Sequence, residues 1–83
     1  TICAGVSITL EALANKTALL PHINIEKPKT VIGTNTIHSM QSGAIYGTAA
    51  MIDGIADRIE EELGQPATLV ATGGLADIIM DCV

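Results

Sequence analysis

The run "LVATGGLADII", Leu69 to Ile79, sets an apolar β-branched stretch before two glycines and a helical pattern after them. A strand-to-helix turn on Gly73 and Gly74 lets a ligand approach the backbone closely. The helix start behind it offers free N–H groups and a partial positive charge to a phosphate. A tight connection without a ligand is the plainer reading of the same turn, which is neither the G-x-G-x-x-G fingerprint nor a Walker loop with its lysine. His22 and His38 have no carboxylate or nucleophile at a telling spacing and read as surface or capping residues. Asp57 to Glu62, "DRIEEE", reads as a solvated helix end, with Arg58 near Glu62 forming a pair of little worth. No catalytic set and no metal-ligand spacing is visible.

These residues need elements to hold them. From Ser7 to Leu20, the residues Ile8, Leu10, Leu13, Ala14, Thr17, Ala18 and Leu20 follow a helical period, with Ser7 as N-cap and an end near Leu19 ahead of Pro21. "HINIEKPKTVIG" alternates at Ile23 and Ile25 and again at Val31 and Ile32, interrupted by Pro28, and predicts an extended connector with room for a short edge strand. A long helix is expected over residues 35–63, with Thr34 as N-cap and Gly64 as its stop. "ATLVATGG" reads as a buried strand and "LADIIMDCV" as a last helix. The chain is therefore expected to be α/β.

At 100° per residue the long helix has three faces. Ile37, Ala44, Ile45, Thr48, Ile52, Ile55, Ile59 and Leu63 form a core stripe, with Gln41 as an amide inside it that must find partners. Ser42, Tyr46, Asp53, Asp57 and Glu60 form a solvated face. Thr36, Gly43, Gly47, Ala50 and Gly54 align on the third, although glycine inside a helix costs roughly 1 kcal/mol relative to alanine. Such a stripe implies close approach by another backbone, within the chain or across a subunit contact.

With 83 residues, 48% of them hydrophobic, and no Trp or Phe, the chain supports one small aliphatic core. A net charge of −5 with four basic residues argues against nucleic-acid and anionic-membrane binding and points to a small molecule or a protein. Cys3 and Cys82 read as free buried thiols. No apolar run approaches the ~18 to 20 residues of a membrane span and no leader is apparent, which reads as cytoplasmic. Thr1 opens the chain on what reads as the end of a strand, so the sequence looks like a piece of a larger protein.

"TALLP", "VIG-x-NT", "SMQSG-x-x-YG", "DG" and "ATGGLA" stand in an order and at a spacing that resemble the type III pantothenate kinases, also described as Bvg accessory factor proteins. The likeness runs over nearly the whole chain; Ala4-Gly5 departs from the family's usual Pro-Gly. The resemblance implies the actin-like and sugar-kinase ATPase superfamily, with residues 1–83 as part of its second, ribonuclease-H-like domain and the N-terminal domain absent. It implies phosphorylation of pantothenate by ATP, the first committed step towards coenzyme A, with a divalent cation (Mg2+) and a monovalent one (K+ or NH4+). A non-catalytic accessory protein of the same fold is the alternative. Thr36 matches the family's threonine that contacts pantothenate from a neighbouring subunit, and Thr72, Gly73 and Gly74 lie at its nucleotide side. The catalytic base and the cation-binding aspartate belong to family motifs that this segment does not contain. On that likeness the small-residue face of helix 35–63 becomes the expected homodimer contact.

Overall fold

The computed structural model describes residues 1–17 and 19–83; Ala18, counted in the first apolar pattern, lies outside the described residues. Among the described residues three helices follow one another: α1 (Val6–Lys16), α2 (Thr36–Leu63) and α3 (Ala76–Met80). α1 and α3 both pack on α2, and a connector from residue 19 to 35 wraps its first half.

α1 starts two residues earlier than a Ser7 cap implies. Gly5 is its N-cap residue with no side-chain cap bond, and the Thr9 hydroxyl donates back to the Gly5 carbonyl at 2.8 Å. The helix ends at Lys16, short of Leu19, where Thr17 turns extended and bonds back to the Leu13 carbonyl. Val6 and Leu10 are its buried residues.

α2 runs over 28 residues and has both ends signed by the sequence, with one shift. Asn35, not Thr34, is the N-cap: its Oδ1 accepts from the His38 backbone N–H at 2.9 Å. The amide of Asn35 also donates to His38 Nδ1 at 3.0 Å, so the capping role expected of His38 is met. Gly64 closes the helix at φ 74°, a left-handed conformation that costs glycine little, and its N–H donates to the Glu60 carbonyl.

Burial on α2 follows the elements that cover it. Met40, Gln41, Ser42, Ala44, Ile45 and Ala49 are buried, with Ile45 at 0% exposure. Val6, Leu10 and Ile79 join them in the core, and Ile23 and Ile25 of the connector pack against it. The stripe expected to run from Ile37 to Leu63 is buried only in its middle. Ile37 (49%), Ile59 (41%) and Leu63 (58%) are exposed, because α1, α3 and the connector all meet α2 between these positions. Ser42 and Tyr46 depart the other way. Read as solvated, they lie under the connector and bond its carbonyls. Gln41 is buried as expected, and its amide donates to the Asn24 carbonyl at 3.4 Å.

Among the described residues there is no β-strand, so the α/β expectation is met only in its helices. The segment "ATLVATGG" lies beside no second strand, and an unpaired strand leaves its N–H and C=O groups to water. Leu69 and Val70 are exposed rather than buried. The edge strand allowed for around Pro28 is likewise absent. Cys3 is exposed and Cys82 half-buried; both are free, and the burial expected of Cys3 is not found.

The radius of gyration is 14.2 Å, against about 12 Å for a compact domain of this length. The excess lies along α2, whose second half extends beyond the core. No helix among the described residues is long and apolar enough to cross a membrane.

Candidate functional site

Two cavities coincide with the two stretches singled out from the sequence. The larger, of about 750 Å³, lies between α1 and the start of α2. Leu10 and Leu13 of α1 form its apolar wall, and Thr34, Asn35, Thr36 and Ser39 bring polar groups to the other side. Thr36 is the first residue of α2 and exposed. Asn35 spends its side chain on the cap and on His38, while the hydroxyl of Thr36 makes no hydrogen bond within the chain among the described residues. Thr36 thus offers a free donor and acceptor to an occupant of the cavity.

Gly33 is what allows the chain to reach this wall. An added Cβ would stand 2.6 Å from both the Cα and the backbone N of Ser39, which are main-chain atoms and cannot swing aside. The connector therefore crosses directly over the first turns of α2 only because residue 33 has no side chain. Sequence reading placed Gly33 at the opening of the helical segment but had no signal for this contact, since only the folded backbone shows what faces it. Ser39 was missed for the same reason.

The second cavity, of about 570 Å³, is bounded by the turn Thr72–Gly74, by Gly5 at the start of α1 and by Thr48 and Ile52 of α2. Gly73 has φ 113°, a conformation that side-chain-bearing residues rarely adopt, and its carbonyl accepts from Ala76 N at 3.2 Å. Thr72, Gly73 and Gly74 are exposed, and nothing stands within 4 Å of a Cβ placed on Gly73 or Gly74. The backbone is open to a ligand there. α3 behind it has only five residues, so the dipole argument for phosphate is weak at this turn.

Thr36 and the Thr72–Gly74 turn are not brought together: α2 separates the cavities, and the 12 residues from Thr36 to Thr48 span ~18 Å of helix axis. Neither histidine joins either site. His22 Nε2 donates to Asn15 Oδ1 at 3.1 Å, and His38 serves the cap. Among the described residues no group of three His, Cys, Asp or Glu side chains could hold a metal ion.

The aligned small residues of α2 are open. Gly43, Gly47 and Ala50 are exposed, with nothing within 4 Å of a Cβ on either glycine. Only Gly54 is covered, by Arg58, which reaches back to its carbonyl at 3.1 Å instead of turning to Glu62. Close packing of this face within the chain, one of the two readings of the stripe, does not occur among the described residues.

Comparison with known proteins places the chain. The family described as type III pantothenate kinase matches residues 1–58. A type III pantothenate kinase of Exiguobacterium sibiricum is 51% identical over 80 residues, covering 96% of this chain and 31% of that protein. The one from Myxococcus xanthus is 49% identical over 78 residues, 94% of this chain and 30% of the relative, and the one from Solibacter usitatus 48% over 80. The chain spans about a third of the length of the curated relatives it matches. Membership implies an actin-like ATPase fold for the whole. With more than half of its residues matched, the chain belongs to the type III pantothenate kinase family.

Proposed function

We propose that the protein to which these 83 residues belong transfers the terminal phosphoryl group of ATP to the terminal hydroxyl of pantothenate, the first step towards coenzyme A. The observation that carries this reading is the near-50% identity to type III pantothenate kinases over almost the entire chain. The cavity on which Thr36 stands supports it. Residues 1–83 are then part of the second, ribonuclease-H-like domain of an α/β enzyme, and "ATLVATGG" becomes a strand when the rest of that sheet lies beside it.

Thr36 is assigned to pantothenate, its free hydroxyl facing the larger cavity. Thr72, Gly73 and Gly74 are assigned to the nucleotide, where the open backbone and 570 Å³ of space suit a phosphate-bearing ligand. ATP supplies the transferred group. Catalysis of this transfer rests on positioning and charge stabilisation, to which this chain contributes binding surfaces and no catalytic residue. The divalent and monovalent cations are assigned to no residue of this chain, which offers no ligand cluster among its described residues.

We further read the open face of Gly43, Gly47 and Ala50 as the contact of a homodimer; Gly43 and Thr36 both border the larger cavity, so a neighbouring subunit on this face would meet pantothenate there. A cytoplasmic location fits an enzyme of this metabolism.

The full-length protein is expected to show ATP-dependent phosphorylation of pantothenate, while the 83-residue chain alone shows none. Failure of the full-length protein to turn over pantothenate, with ATP still bound, would favour a non-catalytic accessory protein of the same fold.

A further inference from the structure

The connector and the first half of α2 run antiparallel, and three contacts fix their register. Tyr46 Oη donates to the Pro28 carbonyl at 2.7 Å, Ser42 Oγ donates to the Val31 carbonyl, and Gly33 lies on the backbone of Ser39. Helix positions 46, 42 and 39 thus match connector positions 28, 31 and 33 in order. Two residues later Asn35 caps the helix. The irregular connector has no sheet to satisfy its carbonyls, so these hydroxyls are the partners that let it lie against a buried surface. Ser42 is 6% exposed and Tyr46 half-buried, so neither hydroxyl exchanges its partner freely with water.

We propose that Tyr46 and Ser42 are positioning residues for the cavity at the start of α2: by holding Pro28 and Val31, they set where Gly33 to Thr36 place the hydroxyls of Thr34 and Thr36. The inference rests on the reading of that cavity as the pantothenate pocket. Neither residue lines it. Tyr46 lies ten residues beyond Thr36, ~15 Å along the helix axis, so removing its hydroxyl reaches the cavity only through the connector.

The test uses the full-length enzyme with Tyr46→Phe, which keeps the ring, and separately Ser42→Ala. Each is expected to raise KM for pantothenate by about three- to tenfold, the fold-change equivalent to one hydrogen bond's net contribution. KM for ATP and kcat at saturating pantothenate should stay unchanged. An unchanged pantothenate KM in both variants, with only a lowered melting temperature, overturns the proposal by leaving a purely structural role; so does an equal rise in both KM values. If the wild-type protein does not turn over pantothenate, the functional reading fails. Wild-type turnover with unaltered variants overturns this proposal alone, whereas absence of wild-type turnover removes the functional reading and this proposal with it.

Discussion

The two halves of α2 carry similar apolar patterns and meet different fates. In the first half, Met40, Ala44, Ile45 and Ala49 are buried beneath α1, α3 and the connector, and three side chains satisfy connector carbonyls. In the second half, Ile59 and Leu63 are exposed, as are Leu69 and Val70 in the segment that follows. Among the described residues a single side-chain bond ties that segment back, from Ala67 N to Glu60 Oε2 at 2.9 Å. An apolar residue states a preference for burial, but a partner surface must realise it. The cavity holding Thr36 lies at the covered end and is shaped by contacts within the chain. The Thr72–Gly74 turn follows the bare segment, and its shape depends on what lies beside residues 67–71.

The contrast predicts unequal costs for equal truncations. In the full-length protein Ile45→Ala is expected to lose about 3 to 4 kcal/mol of stability, because Ile45 is fully buried and its loss leaves a cavity. Val70→Ala is expected to lose less than about 0.5 kcal/mol if Val70 keeps the 86% exposure it has here. Urea denaturation of both variants measures the difference. Comparable losses would mean that parts of the protein outside this chain cover the bare end, and that the asymmetry belongs to these 83 residues alone. A pair of glycines sharpens the same contrast. Gly33→Ala places a methyl group against the backbone of Ser39 and is expected to cost about 2 to 3 kcal/mol. Gly74→Ala meets open space and should fall within about 0.5 kcal/mol of the parent. A neutral Gly33→Ala would show that the connector can lift from α2 without loss.

What could be read from the sequence divides along the same line. The long helix was legible because its signals are local: an aliphatic period, polar capping residues before it and Gly64 after it. The cap itself was displaced by one residue, since Thr34 and Asn35 are both good N-caps and only the fold selects between them. The burial of Gln41 was legible from its place in the apolar stripe. That of Ser42 and Tyr46 was not, because no periodicity encodes the path of a connector that crosses back over the polar side of a helix. The strand expected over Ala67–Gly74 is not found among the described residues, since a β-branched run becomes a strand only when another strand pairs with it. For the sites, the motif residues Thr36 and Thr72–Gly74 both proved to border cavities, whereas Gly33 and Ser39 had no local signature.

The small-residue face crosses from the covered half of α2 to the bare half, so its partner tests whether the two halves differ in the assembled protein. Gly47→Leu adds four carbons to a position that is empty within the chain, and helix propensity alone makes that change stabilising by roughly 0.5 to 1 kcal/mol. If the face is a subunit contact, overpacking of about 1 to 3 kcal/mol acts on association, and the variant should sediment as a folded monomer with pantothenate turnover lost as well. If another part of the same polypeptide covers the face, the variant should melt at a lower temperature while its association state is unchanged. A dimer of equal or raised stability would mean that the face is solvent-exposed throughout, and the alignment of its glycines would then have no packing explanation.

The smallest effect separates the two cavities themselves. Thr36 begins α2 but does not cap it, so Thr36→Ala leaves the Asn35 cap in place and substitutes a good helix former at the first position. Stability should therefore change by less than about 0.5 kcal/mol, whereas Asn35→Ala, which removes the cap, is expected to cost about 1 kcal/mol. Pantothenate binding to the full-length protein should weaken by ~1 to 2 kcal/mol in Thr36→Ala through loss of a hydroxyl that donates and accepts, with ATP affinity retained. Thr72→Ala should show the converse, weakening ATP and sparing pantothenate. Calorimetric titration of each variant with each ligand resolves the four combinations. Equal losses for both ligands in either variant would mean that the two cavities respond as one site despite the ~18 Å of helix between them.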